Sequence, residues 1–263
     1  MTDQTNAGHP APPASALPEV MRLDPGDLAH ALRAGWRDFR RAPIYGLFFA
    51  SVYVAGGWLI AFALTVQGQI WWTLPAAAGF PILGPFIACG FYEVSRRLEQ
   101  GEPLVPRAIL GVVFRQKDRQ IPSMAAMVVV FFLFWNFLAH MIFALFMGHM
   151  PLTNISSSLA IFTTVQGLGF LAFGTAVGAV LAGVLYAVTV VSLPLLLDRE
   201  LDYVTAMITS FTLVRENPVL MLGWGAFIAA ALFIGMLPGF LGLFVVLPVL
   251  GHASWHLYRR ALV

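Results

Sequence analysis

The chain has 263 residues, 59% of them hydrophobic and only 11% charged, with a mean hydropathy of +0.80. A soluble domain carries roughly 25% charged residues, so this chain cannot clothe a water-facing surface and a soluble globular enzyme is excluded. The net charge of +2 is too small to point to nucleic acid, and the single cysteine, Cys89, cannot close an internal disulfide.

Residues Met1–Pro18 are rich in Pro, Ala, Ser and small polar residues, a composition that cannot bury a core, so a disordered tail is expected over 1–23. No apolar h-region precedes the first long apolar run, so no cleavable leader is expected. Asp24-Pro25 reads as a helix start. Leu28, Leu32, Gly35/Trp36 and Phe39 then recur at helical spacing opposite Arg33, Arg37 and Arg40, the pattern of a basic amphipathic helix in the headgroup plane. Leu201, Val204, Ile208 and Phe211 repeat the pattern further on, and Pro106 to Phe114 does so more weakly.

Three stretches lack Asp, Glu, Lys and Arg altogether: 51 residues between Arg41 and Glu93, 78 between Arg119 and Asp198, and 42 between Glu216 and Arg259. A membrane helix takes about 20 apolar residues, so each stretch holds two spans and a turn. The expected spans are Ile44–Val66, Trp72–Tyr92, Ser123–Met147, Phe170–Leu197, Val219–Met236 and Phe240–Leu257. All 15 Lys and Arg lie in the two tails and the two segments joining the stretches. An excess of Lys and Arg marks the cytoplasmic side, so both termini are expected in the cytoplasm. The fold class is thus all-α, a polytopic membrane protein of six transmembrane helices in hairpins, preceded by cytoplasmic interfacial amphipathic helices.

An internal repeat is expected as well. Asp27, Ala31, Trp36, Arg40 and Pro43 match Asp202, Ala206, Phe211, Arg215 and Pro218 at one offset. Pro85, Tyr92, Arg96 and Arg97 match Pro248, Trp255, Arg259 and Arg260 at another. The units are 24–98 and 199–263 within a membrane domain spanning 24–263. The middle hairpin, 104–198, shares their layout without the residue matches. Every unit begins and ends on the same side, so the repeat is parallel.

The run Ala34-Gly35-Trp36-Arg37-Asp38-Phe39, the turn Pro81-Ile82-Leu83-Gly84-Pro85-Phe86 leading into Gly90-Phe91-Tyr92-Glu93, and Gly251-His252-Ala253-Ser254-Trp255-His256 resemble a bacterial family of predicted inner-membrane proteins, domain of unknown function 2189. The resemblance covers roughly residues 30–260. It implies a six-span fold in the bacterial inner membrane and carries no catalytic residues to transfer.

Candidate sites are few. Glu93 and Asp198 lie at span ends, where Arg96 and Arg97 can neutralise Glu93 at helical spacing and Arg199 adjoins Asp198. The pairs Arg40/Arg41, Arg96/Arg97 and Arg259/Arg260 are expected to contact lipid headgroups as a basic collar, although topology alone would put them there. Gly174, Gly178 and Ala182 place small residues on one helix face, which serves close packing within the bundle or a docking face for a partner's helix. Asn136 and His140 are polar residues in the third span, and with Thr189 and Ser192 they would form a polar stripe if they met. His140, His149 and nearby methionines have the donor types for Cu(I), but methionine is also ordinary filling in an apolar bundle. His252 and His256 are one turn apart in the sixth span, with Trp255 and Tyr258 suggesting an interface anchor. No cofactor or metal is called for.

Motifs for nucleophilic or phosphate chemistry are absent from the sequence. The expected function is therefore a non-enzymatic accessory or scaffold protein that binds other inner-membrane proteins or itself, and anionic lipid. The alternative is a channel or transporter for a neutral or lipidic solute. A membrane enzyme using His252, His256 and Glu93 ranks third.

Overall fold

A computed structural model of the chain describes residues 18–65, 73–115, 119–148 and 164–263. The expected sites at His149, Met150 and the rest of the 149–163 segment lie outside the described residues, as does most of the tail. Ten helices are described: α1 Pro25–Arg41, α2 Pro43–Thr65, α3 Thr73–Gln100, α4 Pro106–Arg115, α5 Ile121–Met147, α6 Val165–Thr189, α7 Ser192–Asp198, α8 Tyr203–Glu216, α9 Pro218–Met236 and α10 Leu243–Ala261. Among the described residues, four helical segments are long and apolar enough to cross a membrane: Pro43–Phe62, Ile121–Phe146, Val165–Asp198 and Pro218–Met236. Side chains such as Phe134, Phe137, Val180, Val219 and Phe233 are exposed along them, which suits lipid rather than water.

The start signals act as the sequence leads one to expect. Asp24 caps α1 in a reciprocal capping box with Asp27, and Asp202 caps α8 through Thr205. Prolines open α2, α5 and α9 in the first turn, where the missing N–H costs nothing. The residues before Pro43 and Pro218 share one backbone conformation: Ala42 has φ −134, ψ 51 and Asn217 has φ −128, ψ 51.

Two amphipathic helices leave large apolar side chains outward, which suits a helix in the headgroup plane. The buried face of α1 is Ala31, Ala34, Gly35 and Asp38, while Trp36 is 46% exposed. The buried face of α8 is Ala206, Thr209, Ser210, Leu213 and Val214, with Val204, Ile208 and Phe211 exposed. Small and polar residues face inward because they allow backbones to approach, and the large apolar residues are left for lipid.

The fourth expected span, Phe170–Leu197, is two helices. Pro194 sits at the start of α7 and cannot donate to the ladder. Ser210 of α8 stitches the break: its hydroxyl donates to the Ala187 carbonyl at 2.8 Å and accepts from the Val191 N–H at 3.4 Å.

Helices α3, α7 and α10 meet one another at the charged end, with α2, α5 and α9 packed around them. Each short helix lies on a returning helix, α1 on α10, α4 on α3, and α8 on α6 and α7. The chain ends close on each other. Met21 N–H donates to the Ala261 carbonyl at 2.9 Å, Glu19 and Val263 exchange backbone bonds, and Leu23 N–H donates to the Asn217 side chain at 2.8 Å. The folded chain therefore starts before the expected boundary at Asp24. At the other end, Trp58 Nε1 of α2 donates to the Gly239 carbonyl at 2.7 Å, fastening the α9–α10 turn.

Candidate functional site

Most of the polar chemistry collects at the charged end, where α1, α3 and α10 cross. Gly35 makes the crossing possible: a Cβ there would stand 2.6 Å from both Ala253 N and Val249 O, which are backbone atoms of α10. One turn further on, Asp38 is 2% exposed and accepts a hydrogen bond of 2.6 Å from His256 Nε2. A carboxylate only accepts, so the proton of His256 is on Nε2.

Ser95 of α3 links this pair to His252. Ser95 Oγ lies 2.8 Å from His252 Nδ1, and the same Nδ1 is 3.1 Å from the Phe91 carbonyl. The carbonyl can only accept, so Nδ1 carries the proton and is shared between Phe91 and Ser95. The Ser95 hydroxyl is then free to turn its proton toward Asp38, whose charged form it favours. Burial by itself would raise the Asp38 carboxyl. The hydrogen bond and charge of His256, with the Ser95 hydroxyl, outweigh it and hold the group below its ordinary value of 3.8. His252 Nε2, at the far side of its ring, is buried without a hydrogen-bond partner.

Aromatic rings seal the network from the apolar side. Phe49 stacks edge-on against Phe91 at 5.6 Å, and Phe91 against His252 at 5.6 Å. Gly90 makes room for the Phe49 ring and Gly251 for the Phe91 ring; a Cβ would lie 2.2 and 2.5 Å from them. Ser, His and Asp in this order evoke hydrolase triads. Ser95 and His252 are both 0% exposed, however, so the arrangement is closed off from solvent.

A second network surrounds Glu93, which is 2% exposed. Arg96 grips it in a fork, Nε to Oε2 at 2.9 Å and Nη2 to Oε1 at 3.1 Å, and Arg97 adds Nε to Oε1 at 2.8 Å. Arg115 of α4 stands 3.7 Å away. Asp198 accepts from the Tyr258 hydroxyl at 2.6 Å, with Arg259 at 3.6 Å. Glu99 accepts from Trp255 Nε1 at 2.9 Å and Arg259 Nε at 3.2 Å.

Trp255 and Tyr258, expected at the membrane interface, are each 1% exposed, because Glu99 and Asp198 satisfy their polar ends inside the bundle. His252 and His256 likewise face protein groups. Of the six expected headgroup arginines, Arg96, Arg97, Arg259 and Arg260 pair with Glu93, Glu102, Glu99, Asp198 or Asp27, while Arg40 and Arg41 are exposed. Sequence reasoning missed Asp38, Ser95 and Glu99. The available signal was Asp38 itself, an acid one turn beyond Gly35 on an otherwise basic helix.

The expected polar stripe is not assembled. His140 Nδ1 bonds the Asn136 carbonyl at 2.7 Å, and Thr189 and Ser192 donate to Leu185 and Val188, so each returns to its own chain one turn back. Gly174, Gly178 and Ala182 instead line an apolar groove of about 640 Å³ between α5 and α6, with Trp135 and Phe131 opposite. Trp135 lies close over Gly178, 3.0 Å from where a Cβ would be.

The three motifs that carry the family resemblance thus converge on one crossing, with Gly35 and Asp38 from the first, Gly90 to Glu93 from the second and Gly251 to His256 from the third. No curated protein and no solved structure matches the chain. The apolar helices and their exposed lipid-type surface mark an integral membrane protein, and residues 73–198 match the family described as predicted integral membrane protein (DUF2189).

Proposed function

We propose that this is a multi-pass accessory protein of the bacterial inner membrane, without catalytic activity of its own, that holds the transmembrane helix of a partner in the α5–α6 groove. The groove carries the reading. It is apolar and lies on two helices of membrane-spanning length, and small residues at Gly174, Gly178 and Ala182 form one wall. Small residues let a second backbone approach closely, which is how helices associate in lipid. The buried networks at the charged end also favour a rigid binding frame over a transport path along the bundle axis.

In this reading the chain has six spans in three hairpins. Helices α3 and α10 complete the set although their polar ends lower their mean hydropathy. The parallel repeat extends to the middle hairpin, since each short helix packs on the returning helix of the preceding unit, and α1 closes the ring on α10. Both termini are cytoplasmic. Thiol labelling tests this. In a Cys89→Ser background, Leu237→Cys should react with an impermeant reagent added outside, and Val105→Cys and Val263→Cys only after the inner face is opened. Labelling of Val263→Cys from outside overturns the topology.

The partner is tested by purifying the tagged chain from its native membrane in mild detergent and identifying co-purifying proteins by mass spectrometry. A stoichiometric membrane protein is expected, and Gly174→Leu with Gly178→Leu should reduce its recovery at least tenfold. Undiminished recovery with an unchanged melting temperature overturns the groove as the docking face. Recovery of the chain alone with a bound lipid or metabolite overturns the accessory reading in favour of solute handling.

A further inference from the structure

Contact with lipid headgroups is expected of a multi-pass membrane protein with its charges gathered at one end, and the present inference rests on that membrane placement. Of the collar arginines that topology suggests, Arg96, Arg97, Arg259 and Arg260 are engaged in internal pairs and Arg40 and Arg41 are exposed; a more enclosed charged site lies nearby. Beside the Glu93 network, α3, α4 and α7 enclose a pocket of about 180 Å³. Liquid water takes about 30 Å³ per molecule, so the pocket holds roughly six waters, a headgroup's size.

Its lining is charged with both signs. Arg96, Arg115 and Arg119 face it, as do Glu93 and Asp198. Glu93 is saturated by Arg96 and Arg97. Asp198 is not: the Tyr258 hydroxyl donates to its Oδ2 and Arg259 stands 3.6 Å from the same oxygen, and among the described residues nothing pairs with Oδ1. Arg115 spends Nη2 on the Ala108 carbonyl and Arg119 spends Nη2 on Glu200. A guanidinium has five N–H donors, so each keeps several for the pocket.

A bare anion in this pocket would be attracted by Arg115 and Arg119 and repelled by Asp198. A group with a phosphate and an ammonium satisfies both. We infer that the pocket between α3, α4 and α7 binds a phosphoethanolamine-type group, its phosphate on Arg115 and Arg119 and its ammonium on Asp198 Oδ1. Arg96 contributes charge from the floor, already committed to Glu93.

The test uses the full chain purified in detergent, titrated with short-chain phosphatidylethanolamine, phosphatidylglycerol, phosphatidylcholine and free phosphoethanolamine, with melting temperature and dissociation constant as readouts. Phosphatidylethanolamine should bind at least tenfold more tightly than the other two lipids. Arg115→Gln with Arg119→Gln, both on exposed side chains, should lose at least tenfold of that affinity while retaining the fold. Asp198→Asn should abolish the preference over phosphatidylglycerol; should that variant not fold, the arginine pair alone decides. Free phosphoethanolamine binding as tightly as the lipid supports the same chemistry with a soluble source. Equal or tighter binding of phosphatidylglycerol to the unaltered chain, or full affinity in the arginine variant, overturns the inference. The arginine variant should still co-purify the groove's partner, and the glycine variants should still bind the lipid, so failure of one proposal is distinguishable from failure of the other.

Discussion

Replacing Gly35 with alanine should destabilise the protein although it adds a better helix former. In an unobstructed helix the change favours folding by about 1 kcal/mol. Here the new methyl group would stand 2.6 Å from two backbone atoms of α10, which cannot rotate away as a side-chain tip would. Overpacking typically costs about 1–3 kcal/mol, and a backbone obstacle puts this site at the upper end. The steric term therefore wins, with an expected net loss of about 2 kcal/mol. The displacement also lengthens the Asp38–His256 bond one turn away, which adds to the loss. Gly35→Leu should prevent α1 from docking at all. The control is Gly223→Ala on α9, where nothing lies within 4 Å of the added atom; its melting temperature should be unchanged or higher. Melting curves of the detergent-solubilised variants decide the matter. Equal behaviour at positions 35 and 223 would show that α1 does not cross α10 this closely.

Removing Asp38 is the second large effect. Asp38→Ala leaves His256 Nε2–H without its acceptor in a buried site. Stripping one partner from a buried pair costs about 3–5 kcal/mol. Asp38→Asn keeps an acceptor and should cost less, and Asp38→Leu with His256→Leu, which removes both partners, should recover much of the loss. A double-mutant cycle on melting temperature measures that coupling; additive losses would mean the pair contributes no interaction of its own.

The same pair fixes the acid response. The folded Asp38 carboxyl titrates below its ordinary value of 3.8, so between the two values the unfolded chain binds more protons. Its stabilisation is fully present above 3.8 and drains away as the pH falls through the lower, folded value. The unaltered protein should therefore lose melting temperature more steeply below about pH 4 than Asp38→Asn does. Parallel profiles would show that Asp38 carries no such stabilisation.

Much of the fold was legible because lipid imposes simple demands. A backbone in hydrocarbon must bond to itself, and helices are the solution for single segments. The three uncharged stretches therefore announced long apolar helices, and Asp24-Pro25 gave the start of α1. The apolar stripe of α8 was legible too, since Ile208 and Phe211 have lipid to face. One thing misled: the continuous apolar run from Phe170 to Leu197 concealed a break, since hydropathy does not register the bond that Pro194 cannot make.

The candidate site was legible only in pieces. His252 and His256 stood out by spacing, and Glu93 with Arg96 and Arg97 by helical proximity. Their partners did not, because Asp38 lies far from His256 in the chain and Ser95 far from His252. Composition and charge order determined that this is a helical membrane protein with its charges gathered at one end, because each is a local consequence of what a segment can bury. Which carboxylate meets which imidazole, which arginines are spent on internal pairs and which pocket stays open were decided by tertiary structure alone. Those outcomes depend on how closely two helices approach at Gly35 and which faces they turn to each other, and no single segment of sequence encodes the distance between itself and another.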